Sequence, residues 1–102
     1  MNSNQTAKKW IAIYTKPQHE KVVKSALELK GFEVYLPVLK RRRKWSDRKK
    51  WVEFPLFKCY AFVNTSSKHS VDILKTSGVV KIIRFGNKIA TIQNSIIDSL
   101  KL

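Results

Sequence analysis

Phe54-Pro55-Leu56-Phe57-Lys58-Cys59-Tyr60-Ala61-Phe62-Val63 is the apolar and aromatic stretch on which the reading of this chain turns. It follows directly on the most basic segment of the sequence and reads as a strand that the rest of the fold must cover. Because strand side chains alternate, Tyr60 and Phe62 share one face while Cys59, Ala61 and Val63 share the other. The small residues imply tight packing on their side. The two rings either fill a core or form a pocket for a partner, and that choice decides what the protein does.

Immediately upstream, Lys40 to Lys50 holds eight Lys or Arg in eleven residues, interrupted by Trp45, Ser46 and Asp47. Ser46-Asp47 has turn chemistry, so the segment is expected to be the protruding tip of a hairpin that joins a strand at Phe32–Leu39 to one at Trp51–Val63. Like charges repel there, which predicts a mobile tip until it is bound. Pro37 within the earlier strand argues for a bulge or an edge. Trp45 and Trp51 flank the second basic cluster, with Trp51 expected to pack back on the sheet and Trp45 free to stack on an unpaired base.

Further upstream, Met1 to Lys8 is expected to be a disordered leader, and Trp10 to Thr15 a first strand with Trp10, Ala12 and Tyr14 on one face. Pro17 opens a helix that Gly31 closes as a left-handed cap. In that helix Val23, Ala26, Leu27 and Lys30 fall at helical spacing, leaving Lys21, Lys24 and Glu28 toward water. Downstream, Ser66 or Ser67 caps a second helix that runs to Ser77 with Val71 and Leu74 buried, and Gly78 ends it. Val79–Phe85 and Ile89–Ile92 read as strands about a Gly86-Asn87 turn, and Asn94 or Ser95 caps a last helix carrying Ile96, Ile97 and Leu100. This order implies an α+β fold: a mainly antiparallel four-stranded sheet flanked by helices, of split βαβ character, with a protruding basic hairpin.

With 102 residues there is room for one domain, expected over residues 9–102. Its 21 Lys and Arg against 7 acids give a formal charge of +14, the balance of a chain that meets a polyanion, most simply a phosphate backbone. No apolar run approaches the roughly 18 residues of a membrane span. Cys59 is the single cysteine, so no internal disulfide forms and a reducing cytoplasm is the expected compartment. Catalysis has little to work with: His19 and His69 fall in different elements, Cys59 reads as a mid-strand hydrophobe, and none of Glu20, Glu28, Glu33, Asp47, Glu53, Asp72 and Asp98 forms an acid/base pair. No metal-ligand spacing or glycine-rich phosphate loop occurs, so neither a metal nor another cofactor is expected.

Several features then coincide in order and spacing. Trp10 to Tyr14 followed by Lys16 and Glu20, the Tyr35-Leu36-Pro37 strand, Pro55 to Val63, Gly78-Val79 and Arg84-Phe85-Gly86 resemble the N-terminal (NGN) domain of the NusG family of bacterial transcription elongation factors. Pro55-Leu56-Phe57 and Arg84-Phe85-Gly86 are similar to its specialised RfaH-like antiterminators. The resemblance implies a non-enzymatic, monomeric domain that attaches to RNA polymerase. By position, Tyr14, Phe57, Tyr60, Phe62 and Ile97 would form the pocket for the clamp helices of the β′ subunit. His69 and Ser70 would meet the gate loop of the β subunit, although Val71 and Asp72 follow where the family has further threonines. Lys16 matches a basic position facing the non-template DNA strand, and Lys40, Arg41, Arg42, Arg43, Lys44, Trp45, Arg48, Lys49 and Lys50 would hold non-template or upstream DNA through its backbone. The first helix offers Val22, Ala26 and Leu29 where RfaH carries DNA-reading residues, so no sequence preference carries over. The C-terminal KOW barrel usual in the family has no counterpart within these residues. A free-standing RNA-binding module that stacks bases on its aromatic sheet face is the rival reading, and a basic ribosome-associated protein is the third.

Overall fold

The computed structural model describes residues 7–45 and 48–101, with the side chains of residues 43–45 and 48–50 outside that description. The first six residues of the expected leader and the Ser46-Asp47 turn therefore lie outside the described residues. Strand β1 (Lys9–Thr15) is the centre of the main sheet. It pairs on one side with β5 (Tyr60–Thr65), which pairs in turn with the edge strand β2 (Glu33–Tyr35). Its other side is shared end to end by β6 (Val79–Ile82) and β9 (Thr91–Ile92). Every pairing is antiparallel, so β1 and β2 run parallel with β5 between them, which is the split βαβ arrangement. The expected four strands are present, and β9 adds a short fifth.

Helix α1 (Glu20–Leu29) connects β1 to β2. It starts three residues after Pro17, because Gln18 takes a left-handed φ of +64° and the chain turns before the helix begins. Its C-terminus matches the sequence: the Gly31 amide donates to Glu28 O and the Phe32 amide to Leu27 O, while Gly31 sits at φ +93°. Those two bonds are a Schellman cap, satisfying carbonyls that the helix end would leave orphaned. Val23 and Leu27 are fully buried against Ile11, Ile13, Ala61 and Val63, so the core lies between α1 and one face of the sheet. Ile73, from helix α2 (Ser70–Leu74), completes it.

Three expected long strands are divided. Phe32–Leu39 breaks at Leu36-Pro37 into β2 and β3 (Val38–Trp45), because proline cannot donate to a ladder. Phe54–Val63 breaks as well: β4 (Arg48–Pro55) ends at the proline, residues 56–59 turn, and β5 follows. Cys59 is therefore in a turn and not mid-strand. After β6 the chain is interrupted at Ile83 and Ala90, where the Ala90 amide donates to Ile83 O, giving β7 (Arg84–Phe85) and β8 (Lys88–Ile89) about a Gly86-Asn87 turn with Gly86 at φ +59°.

The second helix is also shorter than expected. A 3₁₀ turn at Ser67–His69 leads into the five residues of α2, and Ile73 is buried while Val71 and Leu74 are exposed. Helix α3 (Asn94–Lys101) includes Asn94, and it is the Gln93 carbonyl that accepts from Ile96 and Ile97. It packs on the opposite face of the sheet from α1, with Ile97 sealed and Ile96 exposed. Strands β3 and β4 pair only with each other, and two eight-residue strands at about 3.4 Å per residue make a long arm. The molecule measures 61 × 29 × 26 Å.

Candidate functional site

The turn between β4 and β5 builds the surface. The Tyr60 amide donates to Phe57 O at 3.2 Å, and Cys59 takes φ +68°, a left-handed conformation unusual for a residue with a side chain. Two bonds hold it there. The Cys59 amide donates to Glu20 Oε2 at 2.9 Å and its carbonyl accepts from the Thr15 amide at 2.8 Å. Glu20 is itself buried, so its carboxylate is committed to this turn, and a buried charge needs such a donor. Its acidic character at the first position of α1 is readable in the sequence. Its partner, 39 residues away, is not.

Held in this way, Phe57 meets Phe62 edge to face at 6.0 Å between centroids, and Phe62 lies nearly parallel to Tyr35 at 6.4 Å. The β1–β5 register sets Tyr14 opposite Tyr60, and their rings meet edge to face at 5.3 Å. Phe62 pairs with Ala12, whose small side chain leaves the rings beside it room. All these side chains lie on the face opposite the α1 core. Tyr60 is 36 % exposed and Phe57 40 %, so the layer is open to solvent, and Leu56, next to Phe57 in the turn, is 39 % exposed. Tyr14 and Phe62 are half-buried, whereas Ile97, on α3, is fully buried and presents no surface to a partner.

Cations border the rings. Lys81 Nζ sits 5.7 Å from the Tyr14 centroid, and Lys101 Nζ lies 5.3 Å from that of Trp10 and 5.4 Å from that of Tyr35. Such contacts leave a positive rim around an apolar surface. The Tyr35 hydroxyl donates to Leu100 O at 2.8 Å, tying α3 to the sheet. Sequence reasoning missed Tyr35, Lys81 and Lys101. Tyr35 was readable from its alternation with Val34, but the two lysines had no local signal.

His69 and Ser70 stand where the 3₁₀ turn meets α2, on the α1 side of the sheet and so across it from the aromatic layer. The His69 ring meets Phe32 edge to face at 5.9 Å. Lys16 is exposed just past β1, where its amide donates to Gly78 O. On the hairpin Lys40, Arg41 and Arg42 are exposed, and the register sets Arg42 opposite Trp51. Trp51 is 64 % exposed, which corrects the expectation that it packs on the sheet: the arm carries it away from the body. The side chains of Arg43, Lys44, Trp45, Arg48, Lys49 and Lys50 lie outside the described residues. Among the described residues no group of His, Cys, Asp or Glu could hold a metal ion, and no helix is long and apolar enough to cross a membrane.

Fold and surface together define a basic α+β domain with an open aromatic sheet face and a separate cationic arm. Residues 8–101 match the family described as transcription termination factor nusG, and the chain belongs to that family. A solved structure on domain interaction in Thermotoga maritima NusG superposes with a TM-score of 0.62 at 20 % identity, over 86 % of this chain and 52 % of that one. The chain thus spans about half the length of that relative. No curated protein sequence matches it.

Proposed function

We propose that this domain is an RfaH-like elongation factor that docks on RNA polymerase, holds the clamp closed around nucleic acid and so suppresses pausing or termination. The β′ clamp helices lie on Tyr14, Phe57, Tyr60 and Phe62, while Ile97, the fifth residue implied by the resemblance, is sealed within the fold. His69 and Ser70 face the β gate loop, and Lys16 with the hairpin holds non-template or upstream DNA. The observation that carries the reading is the aromatic layer, which is organised by a buried carboxylate yet left partly open to solvent. Burial of that apolar area contributes about 25 cal/mol per Å² before the cost of association is subtracted. The basic arm adds steering and salt-sensitive affinity.

The test is binding of Tyr60→Ala and Phe62→Ala to purified polymerase, alongside bare RNA. Each substitution is expected to weaken polymerase binding by about tenfold or more, the scale of an interface anchor, and to leave RNA affinity nearly unchanged. Collapse of RNA binding with intact polymerase binding would instead establish the free-standing RNA module. Elongation on a template carrying pauses and a terminator then reads processivity. Unchanged elongation by bound protein would remove that part of the proposal and leave the docking.

A further inference from the structure

A pocket of about 310 Å³ opens where the start of β1, the end of β5 and the β7–β8 hairpin meet, away from the aromatic layer and from the basic arm. Three cations line it, Lys9, Arg84 and Lys88, together with Ser66, Ser67 and Ser70. Among the described residues no carboxylate lines it, and none of the three cations forms an ion pair. Arg84 Nη1 donates to Asn87 O at 3.3 Å, which steadies the guanidinium while leaving its other N–H groups available. Ser66 occupies the N-cap position of the 3₁₀ turn with extended backbone, but its side chain makes no cap hydrogen bond. Its hydroxyl is thus not committed to the cap, the usual task of a serine in that position. The floor is apolar, formed by Ile11 and Ile89.

We infer that this pocket binds a nucleotide phosphate, with Arg84, Lys88 and Lys9 around the phosphate oxygens and the apolar floor under the sugar or base. Charge sets the sign of the ligand: three unpaired cations line one cavity without an acid, and an arginine fork with hydroxyl donors suits tetrahedral oxyanions. Volume sets its size, because 310 Å³ is at the low end of small-molecule sites and holds a single nucleotide unit, not a tract of chain. The unit has two sources, a free mononucleotide or one residue of a nucleic acid strand. The site shares only Ser70 with the proposed gate-loop contact, and its test uses no polymerase, so the two readings fail separately.

The experiment is amide-resolved nuclear magnetic resonance titration of the whole chain at physiological salt with AMP, adenosine and a short single-stranded DNA. Saturable shifts confined to the start of β1, Ser66–Ser70 and the β7–β8 hairpin are expected with AMP and not with adenosine. Arg84→Gln and Lys88→Gln should each weaken the response about tenfold, the size of one lost charge-assisted hydrogen bond. Lys75→Gln, which removes an exposed charge outside the pocket, should leave it unchanged. Saturation by the DNA alone would assign the phosphate to a strand. No saturable response at the pocket from either, an equal response to adenosine, or equal weakening by Lys75→Gln would overturn the inference.

Discussion

Cys59 is strained so that Phe57 and Tyr60 can be presented, and Glu20 is what holds the strain. A left-handed residue with a side chain costs about 1–2 kcal/mol, which the surrounding bonds must exceed. Glu20→Ala removes the acceptor of a buried amide and is expected to destabilise the fold by about 2 kcal/mol, read as a lower urea midpoint. Glu20→Gln keeps an oxygen acceptor and should cost less than half as much. The loss of Glu20 should also weaken polymerase binding beyond its effect on stability, because the turn carrying Phe57 is released. At this scale the sequence was legible in part. The alternation of Tyr60, Ala61, Phe62 and Val63 is the observed one, since it depends only on strand geometry. The turn before it was not readable, because Lys58-Cys59 carries no glycine or asparagine to announce a positive φ.

Among the elements, glycine positions were the most legible and strand lengths the least. Gly31 caps α1 and Gly86 turns the β7–β8 hairpin as expected, both at positive φ, whereas Gly78, at φ +95°, turns the chain into β6 and does not end α2, which stops at Leu74. Pro37 signals an interruption, but a break between two sheets and a bulge within one have the same local signature, and tertiary pairing alone separates them. For α2 the buried face was misassigned because a single turn holding Val71, Ile73 and Leu74 does not fix a helical phase. Gly78 also has a packing role that composition could not reveal. A Cβ there would approach Val23 Cγ2 to 2.7 Å, and Val23 is fully buried and cannot retreat. Gly78→Ala is expected to cost about 3 kcal/mol from overpacking and left-handed backbone together. Gly31→Ala, at a similar φ but with nothing within 4 Å, should cost only about 1 kcal/mol. Thermal or urea unfolding of the pair separates steric from conformational cost.

Over the whole molecule, charge and shape diverge: an apolar-cored body bears the aromatic face, and a hairpin in a sheet of its own bears exposed cations. Leu56 N–H donates to Pro37 O across the base of the arm, and Lys21 Nζ donates to Glu53 O, tying the arm to α1. Substitutions along it should leave folding intact and act on nucleic acid alone. Replacing Lys40, Arg41 and Arg42 together by Gln removes up to three phosphate contacts. The slope of log affinity for single-stranded DNA against log salt should then fall by about 2, at about 0.7 per contact. Trp51→Ala should act differently, since the exposed ring opposite Arg42 carries no charge and offers a face on which a base can stack. It is expected to cost about 1–3 kcal/mol at every salt concentration with the slope unchanged. Titrations from low to high salt on the two variants therefore separate Coulombic from stacking contributions. Parallel loss of slope in both would mean that Trp51 acts only by ordering the cations beside it.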